Sequence, residues 1–197
     1  MPTDSKRRRK DHERDPYVKQ ARRSDYRSRA AFKLQELDEK DKLLKPGQTV
    51  VDLGAAPGSW SQYAARRVGP SGKVIAVDIL PMEPIRNVQF IHGDFTDDAV
   101  FQRCLNALEG ARADLVISDL SPNLTGIRVT DHARSMYLAE RVLEFACQTL
   151  APNGNLLIKV FEGADMEQFR SELVQRFQRV MARKPKASRG GSREFYV

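Results

Sequence analysis

The chain has 197 residues, a length that fits one domain better than two. Hydrophobic residues make up 41% and charged residues 30%, as in ordinary globular proteins that fold without disulfides or metal. Cys104 and Cys147 are far apart and form no CxxC pair. No apolar run approaches the ~20 residues of a membrane span, and the basic N-terminus has no signal-peptide core. We therefore expect a monomeric cytoplasmic protein that binds neither metal nor membrane.

The net charge is +7, and the whole excess lies near the N-terminus. Residues 1–33 hold 12 Lys and Arg against 5 Asp and Glu, whereas the rest of the chain is balanced. A second basic run without acids covers residues 179–193. Such blocks are typical of phosphate-binding surfaces or of disordered arms. We expect residues 1–25 to form a flexible basic arm, although residues 1–15 alone are equally consistent with a solubilising tail.

The rest of the chain predicts an α/β fold. A helix is predicted over about residues 28–42, and short β-branched runs then alternate with helical segments. The predicted strands are 49–53, 73–80, 88–91, 115–118 and 156–161, and the later helices are 59–68, 97–109, 132–150 and 165–178. This alternation predicts a mainly parallel sheet with helices on both faces. Runs 180–183 and 195–197 flank a glycine-bearing loop and predict a terminal antiparallel hairpin, which brings the sheet to seven strands.

Several turns that follow predicted strands favour a nucleoside pocket. The first strand runs into the turn DLGAAPGSW, in which Gly54 and Gly58 allow the backbone to approach a ligand closely. Asp78 ends the second strand, where a carboxylate can accept both hydroxyls of a ribose. Asp94 follows the third strand, within reach of an adenine edge. Because the carboxyl ends of parallel strands meet at one edge, these groups are expected to converge there.

Two lysines occupy positions where an apolar residue is expected. Lys159 lies inside the apolar strand run 156–161, and Lys33 lies on the apolar face of the first predicted helix. Burying an ammonium is costly unless it is paired or neutral. For Lys33 alone, snorkelling of its head into water is the simpler interpretation. Lys159 is harder to explain in that way and is a candidate functional residue.

Five segments resemble the FtsJ/RrmJ (RlmE) methyltransferases. They are RSRAAFKL at 27–34, VDLGAAPG at 51–58, SDLSPN at 118–123, IKVF at 158–161 and SREFYV at 192–197. The resemblance runs from about Tyr17 to Val197 and implies one Rossmann-like, S-adenosylmethionine-dependent methyltransferase domain. We expect this domain to cover residues 26–197 and the basic arm of residues 1–25 to bind RNA. The resemblance also implies transfer of a methyl group to the 2′-hydroxyl of a uridine in large-subunit ribosomal RNA. Ser59 departs from the pattern, since the family often has glycine there.

The resemblance also assigns site residues. The K-D-K-E tetrad of the family corresponds to Lys33, Asp119, Lys159 and Glu194. Its cofactor contacts correspond to Gly58, Trp60, Asp78, Asp94 and Asp119, to which the turn pattern adds Gly54. The phosphate contacts expected from the basic arm are Arg22, Arg23, Arg27 and Arg29, which border the helix of Lys33.

The chemistry of the reaction supports these roles. A ribose hydroxyl is a weak acid, so a nearby amine must accept or polarise its proton. We expect Lys159 to be that general base or polarising group, and Lys33 and Glu194 to position the ribose. Asp119 is expected to bridge the cofactor and the tetrad, and much of the rate should come from positioning.

Other functions remain open at this stage. Methyltransferases that act on amino groups carry Asn/Asp-Pro-Pro-aromatic where this chain has SDLSPN. Enzymes that act on carbon 5 of pyrimidines need a cysteine nucleophile, whereas Cys104 and Cys147 fall within predicted helices. A 2′-O-methyltransferase acting on transfer RNA or messenger caps is a further alternative. A non-catalytic RNA-binding or ribosome-assembly factor is another, but binding alone does not require Lys159 in an apolar strand.

Overall fold

The computed structural model describes residues 15–122, 125–189 and 191–197. The helices there are α1 (Pro16–Arg23), α2 (Ala31–Asp41), α3 (Ser59–Val68), α4 (Asp98–Ala107), α5 (Arg128–Thr149) and α6 (Met166–Arg176). The strands are β1 (Thr49–Leu53), β2 (Lys73–Asp78), β3 (Val88–His92), β4 (Ala113–Ser118), β5 (Leu150–Phe161) and β6 (Glu194–Tyr196). They form one sheet in the order β3-β2-β1-β4-β5-β6, in which β6 alone among these strands is antiparallel to its neighbour.

The sheet lies between two layers of helices. Side chains alternate along each strand, so Val50 and Val74 pack against α2 and α3, whereas Val51 and Ile75 pack against α4, α5 and α6. These residues are fully buried, because a central parallel strand is covered on both of its faces. The predicted α/β architecture is confirmed, and the boundaries of most predicted elements move by only a few residues. No helix within the described ranges is long and apolar enough to cross a membrane.

The predicted seven strands are wrong, because the described chain has six. Residues 180–183 contribute only one bridge, in which Arg183 and Tyr196 exchange backbone hydrogen bonds of 2.7 and 2.8 Å. In this register the next hydrogen-bonded pair would join Pro185 to Glu194. Proline has no N–H to donate, so the ladder ends at Arg183. On its other edge, β6 pairs along its whole length with β5.

Within the predicted basic arm the structure places a helix, α1, over residues 16–23. Asp15 caps this helix through a 2.9 Å bond from the Tyr17 N–H to Oδ1, and Pro16 occupies its first turn. Two buried residues, Val18 and Ala21, hold the helix on the body of the protein. So short a helix depends on such packing, and Asp-Pro at its start is a helix-start signal. Residues 1–14 of the predicted arm lie outside the described residues.

A buried carboxylate fixes α2 to α3. Asp38 on α2 is only 1% exposed, and its Oδ1 accepts the backbone N–H of Leu44 at 2.8 Å. Its Oδ2 accepts the Tyr63 hydroxyl at 2.9 Å and Nε of Arg67 at 3.0 Å, both from α3. Because α2 carries Lys33, this cluster sets the position of that lysine relative to the turn that precedes α3.

Replacing Asp38 by Ala is expected to lower the free energy of unfolding by about 3 kcal/mol, because buried donors then lose their acceptor. Urea denaturation followed by fluorescence of the single tryptophan, Trp60, measures this loss. Glu39→Ala, at the exposed next position of the same helix, is the matched control and should change stability by less than about 0.5 kcal/mol. Similar losses in the two variants would contradict the structural role of Asp38.

Candidate active site

Strand register brings Asp119 and Lys159 side by side at the carboxyl ends of β4 and β5. Ser118 is paired with Ile158, so the residue after each of them is the next neighbour across the two strands. The ammonium of Lys159 donates to the backbone carbonyl of Asp119 at 2.6 Å and lies 3.2 Å from its Oδ1. The side chain of Lys159 is 5% exposed, so it does not snorkel. This buried ammonium is stabilised by a carboxylate and a carbonyl.

Lys33 and Glu194 form a second ion pair beside the first. Nζ of Lys33 lies 2.7 Å from Oε1 of Glu194, which joins α2 to β6. Burial by itself raises the pKa of the Glu194 carboxyl, but the hydrogen bond and charge of Lys33 and the charge of Lys159 outweigh it. The pKa of Glu194 is therefore lowered, and the group is a carboxylate at neutral pH. All four residues of the predicted tetrad are thus brought together.

Tyr196 links the two ion pairs. Its hydroxyl donates to Oδ1 of Asp119 at 2.7 Å, and Nζ of Lys33 lies 5.7 Å from its ring centroid. Burial and the nearby Asp119 carboxylate raise the pKa of the Tyr196 phenol well above its ordinary value, so the hydroxyl remains a donor. Sequence reasoning misses this residue, although alternation along β6 puts it on the same face as Glu194.

A cleft of about 390 Å³ is lined by Leu120, the residue that follows Asp119 of the tetrad. Three predicted cofactor contacts, Gly54, Asp78 and Asp94, line it at the ends of β1, β2 and β3. Leu120 and Tyr137, which the sequence does not predict, also line this cleft. Its size lies within the range of small-molecule sites. The convergence of strand-end turns expected from the sequence is therefore present in the fold.

Asp78 has a structural task as well as its place in the cleft. Its Oδ2 accepts the N–H of Ala56 at 2.8 Å, and its Oδ1 accepts the N–H of Leu80 at 2.8 Å. Each carboxylate oxygen has about two acceptor sites, so both can still accept a hydroxyl. Asp94 is held in a similar way, since its Oδ1 accepts the N–H and the hydroxyl of Thr96 at 2.8 and 2.7 Å.

The two glycines and the tryptophan among the predicted cofactor contacts lie in different environments. Gly54 has φ of +84°, and a Cβ there would lie 2.5 Å from the Leu120 side chain, so the cleft requires glycine at this position. Gly58 has φ of +104° and faces the loop that follows β2. The side chain of Trp60 is buried, and its Nε1 donates to the carbonyl of Ala30 at 2.7 Å. It therefore supports the start of α2.

The four predicted phosphate contacts fall into two groups. Arg22 and Arg23 are exposed on α1. Arg27 and Arg29 are partly buried and have partners within the protein. Arg29 forms an ion pair with Asp15, and Arg27 donates to three backbone carbonyls. Arg22 and Arg23 are thus the better placed of the four for contact with a phosphate.

The cysteines do not resemble catalytic nucleophiles. Cys104 is buried in the core, and burial raises the pKa of its thiol to about 12. Cys147 lies on the exposed side of α5, 3.8 Å from a guanidinium nitrogen of Arg176. Within the described part of the chain, no group of three His, Cys, Asp or Glu residues could hold a metal ion.

Asp52 is a buried acid that the sequence analysis did not single out. Its Oδ2 accepts the Ser61 hydroxyl at 2.6 Å, whereas its Oδ1 has no hydrogen-bond partner among the described residues. Burial raises its pKa to about 7; the Ser61 bond opposes this rise, and the Asp119 and Asp78 carboxylates add to it. An ionisable residue inside the apolar strand 49–53 is the signal that could have found it, as it found Lys159.

Asp52 is expected to make stability depend on pH. Its pKa is about 7 in the folded chain, above the ordinary value of 3.8. The neutral acid therefore makes its full contribution to the free energy of unfolding when the pH is below 3.8. That contribution is lost as the pH rises through about 7. Asp52→Asn cannot ionise, so relative to the parent it should gain on the order of a few kcal/mol between about pH 5 and about pH 8. Urea denaturation at both pH values measures the change, with exposed Asp98→Asn as control. An Asp52→Asn difference that is equal at both pH values would contradict the assignment.

Comparisons with known proteins agree with this geometry. The model of the FtsJ-like methyltransferase family matches residues 26–197. Ribosomal RNA large subunit methyltransferase E of Alkalilimnicola ehrlichii is 55% identical over 187 residues, which cover 95% of this chain and 90% of that protein. The protein of the same name from Pseudomonas aeruginosa is 52% identical over 95% of this chain and 91% of its own length.

Solved structures show the same relationship. A crystal structure from Plasmodium falciparum, assigned as a ribosomal RNA methyltransferase, has a TM-score of 0.78 and 33% identity over 87% of this chain and 95% of that one. An assigned rRNA methylase from Clostridium thermocellum, 18% identical with a TM-score of 0.51 over 84% of this chain and 94% of that one, shares the fold. The resemblance seen in the sequence motifs is confirmed, and the chain belongs to the FtsJ-like methyltransferase family.

Proposed function

We propose that this methyltransferase transfers a methyl group from S-adenosylmethionine to the 2′-hydroxyl of a ribose in ribosomal RNA, specifically a uridine of the large subunit. The observation that carries the proposal is the buried Lys159–Asp119 pair beside the cleft. Curated relatives named large-subunit ribosomal RNA methyltransferases, 52–55% identical to this chain, support the substrate class. The protein is proposed to act as a monomer that methylates ribosomal RNA in the cytoplasm.

The residues of the cleft fit S-adenosylmethionine. Asp78 would accept the ribose hydroxyls and Asp94 would meet the adenine edge. Gly54, whose missing side chain lets Leu120 pack against the turn, would contact the cofactor through its backbone. Gly58 and Trp60 would act indirectly, by fixing the shape of the turn that contacts the cofactor. Asp119 of the tetrad follows β4, and the next residue, Leu120, lines this cleft. The cofactor supplies a methyl group on a sulfonium, and the rest of the chemistry belongs to the protein.

Lys159 is proposed to receive or polarise the proton of the 2′-hydroxyl. Its ammonium has three donors, and two of them are directed at the carbonyl and the carboxylate of Asp119. The third position is available to the ribose oxygen. Lys159 would either take the hydroxyl proton as a neutral amine or, as an ammonium, polarise the O–H bond so that the proton leaves to solvent. Lys33 and Glu194 would hold the ribose in line for this attack.

RNA phosphates are proposed to bind two basic segments that lie next to each other, where Ala21 and Ala187 pack in one cluster. Arg22 and Arg23 are exposed on α1, next to the helix that carries Lys33. In the second basic run, Lys186, Arg189 and Arg193 are exposed, and the run leads directly into Glu194. Such contacts would position the RNA without reading its sequence. We also propose that basic residues within 1–14 contact RNA phosphates.

Labelled S-adenosylmethionine, offered with large subunits, free ribosomal RNA and transfer RNA, tests the proposal. We expect label on one ribose 2′-oxygen of the large-subunit RNA. In single turnover, Lys159→Ala should reduce the rate by about 10²–10⁴-fold with cofactor and RNA binding retained. Lys159→Arg should not restore it, because guanidinium stays protonated at working pH.

Lys73→Ala is the matched control, since Lys73 is also a strand lysine that donates to a backbone carbonyl, that of Ala107, at 2.8 Å. It begins β2, at the end of the sheet away from the cleft, and its loss should leave the rate unchanged. Near-normal turnover of Lys159→Ala would refute the role of this lysine. Label on a base, or on transfer RNA alone, would refute the proposed acceptor.

A further inference from the structure

Arg27 is bound to backbone carbonyls of two separate segments. Its Nη1 donates to the carbonyl of Pro57 at 3.0 Å and to that of Glu83 at 2.8 Å. Its Nη2 donates to the carbonyl of Pro84 at 3.0 Å. Pro57 belongs to the glycine turn, residues 54–58, and the other two carbonyls belong to the proline loop, residues 79–87. One guanidinium therefore spans both segments.

The two segments meet tightly at Gly58. A Cβ at this residue would lie 2.7 Å from Met82 and 2.7 Å from Ile85, both in the proline loop. It would also lie 2.9 Å from Nη1 of Arg27. The absence of a side chain at Gly58 thus lets the glycine turn, the proline loop and the guanidinium come into contact.

The carbonyls of these segments need donors from elsewhere. Neither segment is helix or strand, and proline residues at 57, 81 and 84 supply no N–H groups of their own. Arginine carries five N–H donors in a planar fork, so it can reach several carbonyls at once. The backbone N–H of Arg27 itself donates to Oε1 of Gln62 on α3 at 2.9 Å, which fixes the base of the side chain.

Asp78 ties the same two segments together through their N–H groups. It accepts the N–H of Ala56 in the glycine turn and that of Leu80 in the proline loop. The two segments are therefore joined twice, by a carboxylate that takes their N–H groups and a guanidinium that takes their carbonyls. Gly54 and Asp78, together with Ile79 of the proline loop, line the cleft.

We infer that Arg27 is a positioning residue of the cofactor site, which holds the glycine turn and the proline loop around the ribose end of the cofactor. This reverses its assignment from the sequence as a phosphate contact, and it rests on the proposed identity of the cofactor. Because Arg27 lies just before α2, it also connects the segment that carries Lys33 to the walls of the cleft.

Calorimetric titration with S-adenosylmethionine and S-adenosylhomocysteine tests the inference. Arg27→Ala should raise the dissociation constants of both by about tenfold or more, because three directional hydrogen bonds are lost. The KM for S-adenosylmethionine should rise while kcat at saturation changes much less, a split that a general loss of folding would not produce. Thermal unfolding monitors the fold. Arg27→Lys keeps the charge but not the fork, so it should bind the cofactor nearly as weakly as Arg27→Ala.

Arg66→Ala is the matched control. Arg66 also donates to backbone carbonyls, those of Ser24 and Asp25 at 3.3 and 3.5 Å, but these lie outside the glycine turn and the proline loop. Its loss should leave cofactor affinity unchanged. The double variant Arg22→Ala/Arg23→Ala should weaken RNA binding and flatten its salt dependence by roughly one unit of slope per lost contact, also without effect on the cofactor.

Two results would overturn the inference. One is Arg27→Ala with cofactor affinity unchanged and a flatter salt dependence of RNA binding, which would make Arg27 a phosphate contact. The other is Arg27→Lys with parental cofactor affinity, since charge alone would then suffice. The proposed function fails separately, when the parent protein does not bind S-adenosylmethionine or does not methylate ribosomal RNA.

Discussion

One carboxylate oxygen holds the candidate active site together. Oδ1 of Asp119 receives the Tyr196 hydroxyl at 2.7 Å and lies 3.2 Å from the ammonium of Lys159. A buried ammonium without such a partner would be strongly unfavourable, so the place of Lys159 in the apolar strand depends on this oxygen. The same oxygen anchors Tyr196 on β6, and β6 in turn carries Glu194 to Lys33. This one oxygen therefore connects the two ion pairs of the tetrad at the end of β4.

The strand order explains why this acceptor lies where it does. In the order β3-β2-β1-β4-β5-β6, the first three strands end at the cleft and the last two carry Lys159, Tyr196 and Glu194. β4 lies between the two halves, next to β1, at the point where the chain changes direction across the sheet. Ligands of open α/β sheets bind outside the carboxyl ends of strands at such a point. Asp119 can therefore serve both the cofactor side and the acceptor side.

Much of the fold and of the candidate site could be predicted from the sequence. The spacing of apolar residues and the residue types found in turns depend only on neighbouring positions in the chain. Strand runs, Gly54 and Asp78 follow from rules about buried parallel strands and the turns at their ends. An ionisable residue in an apolar strand identified Lys159, and the same rule would have identified Asp52. The strand predicted over residues 180–183 was wrong because Pro185 has no N–H to donate to the ladder. That effect can be recognised only when the residue opposite Pro185 is known.

The sequence could not show which distant groups form hydrogen bonds with one another. Arg27 and Arg22 look alike in a basic segment, yet Arg27 donates to Pro57, Glu83 and Pro84 whereas Arg22 is exposed. Helix α1 is stabilised by contacts that are distant in sequence. Tyr196 becomes a site residue only through a hydroxyl bond to a residue 77 positions earlier. Such pairings are fixed by tertiary structure and leave no period in the chain.

The most direct test of this account is a double-mutant cycle between Tyr196→Phe and Asp119→Ala, measured as the free energy of unfolding in urea. If the Tyr196 hydroxyl is held by the Asp119 carboxylate, the two changes are not additive, and their coupling energy is about 1–3 kcal/mol. Additive effects, within about 0.5 kcal/mol, would contradict the claim that this one oxygen organises the tetrad.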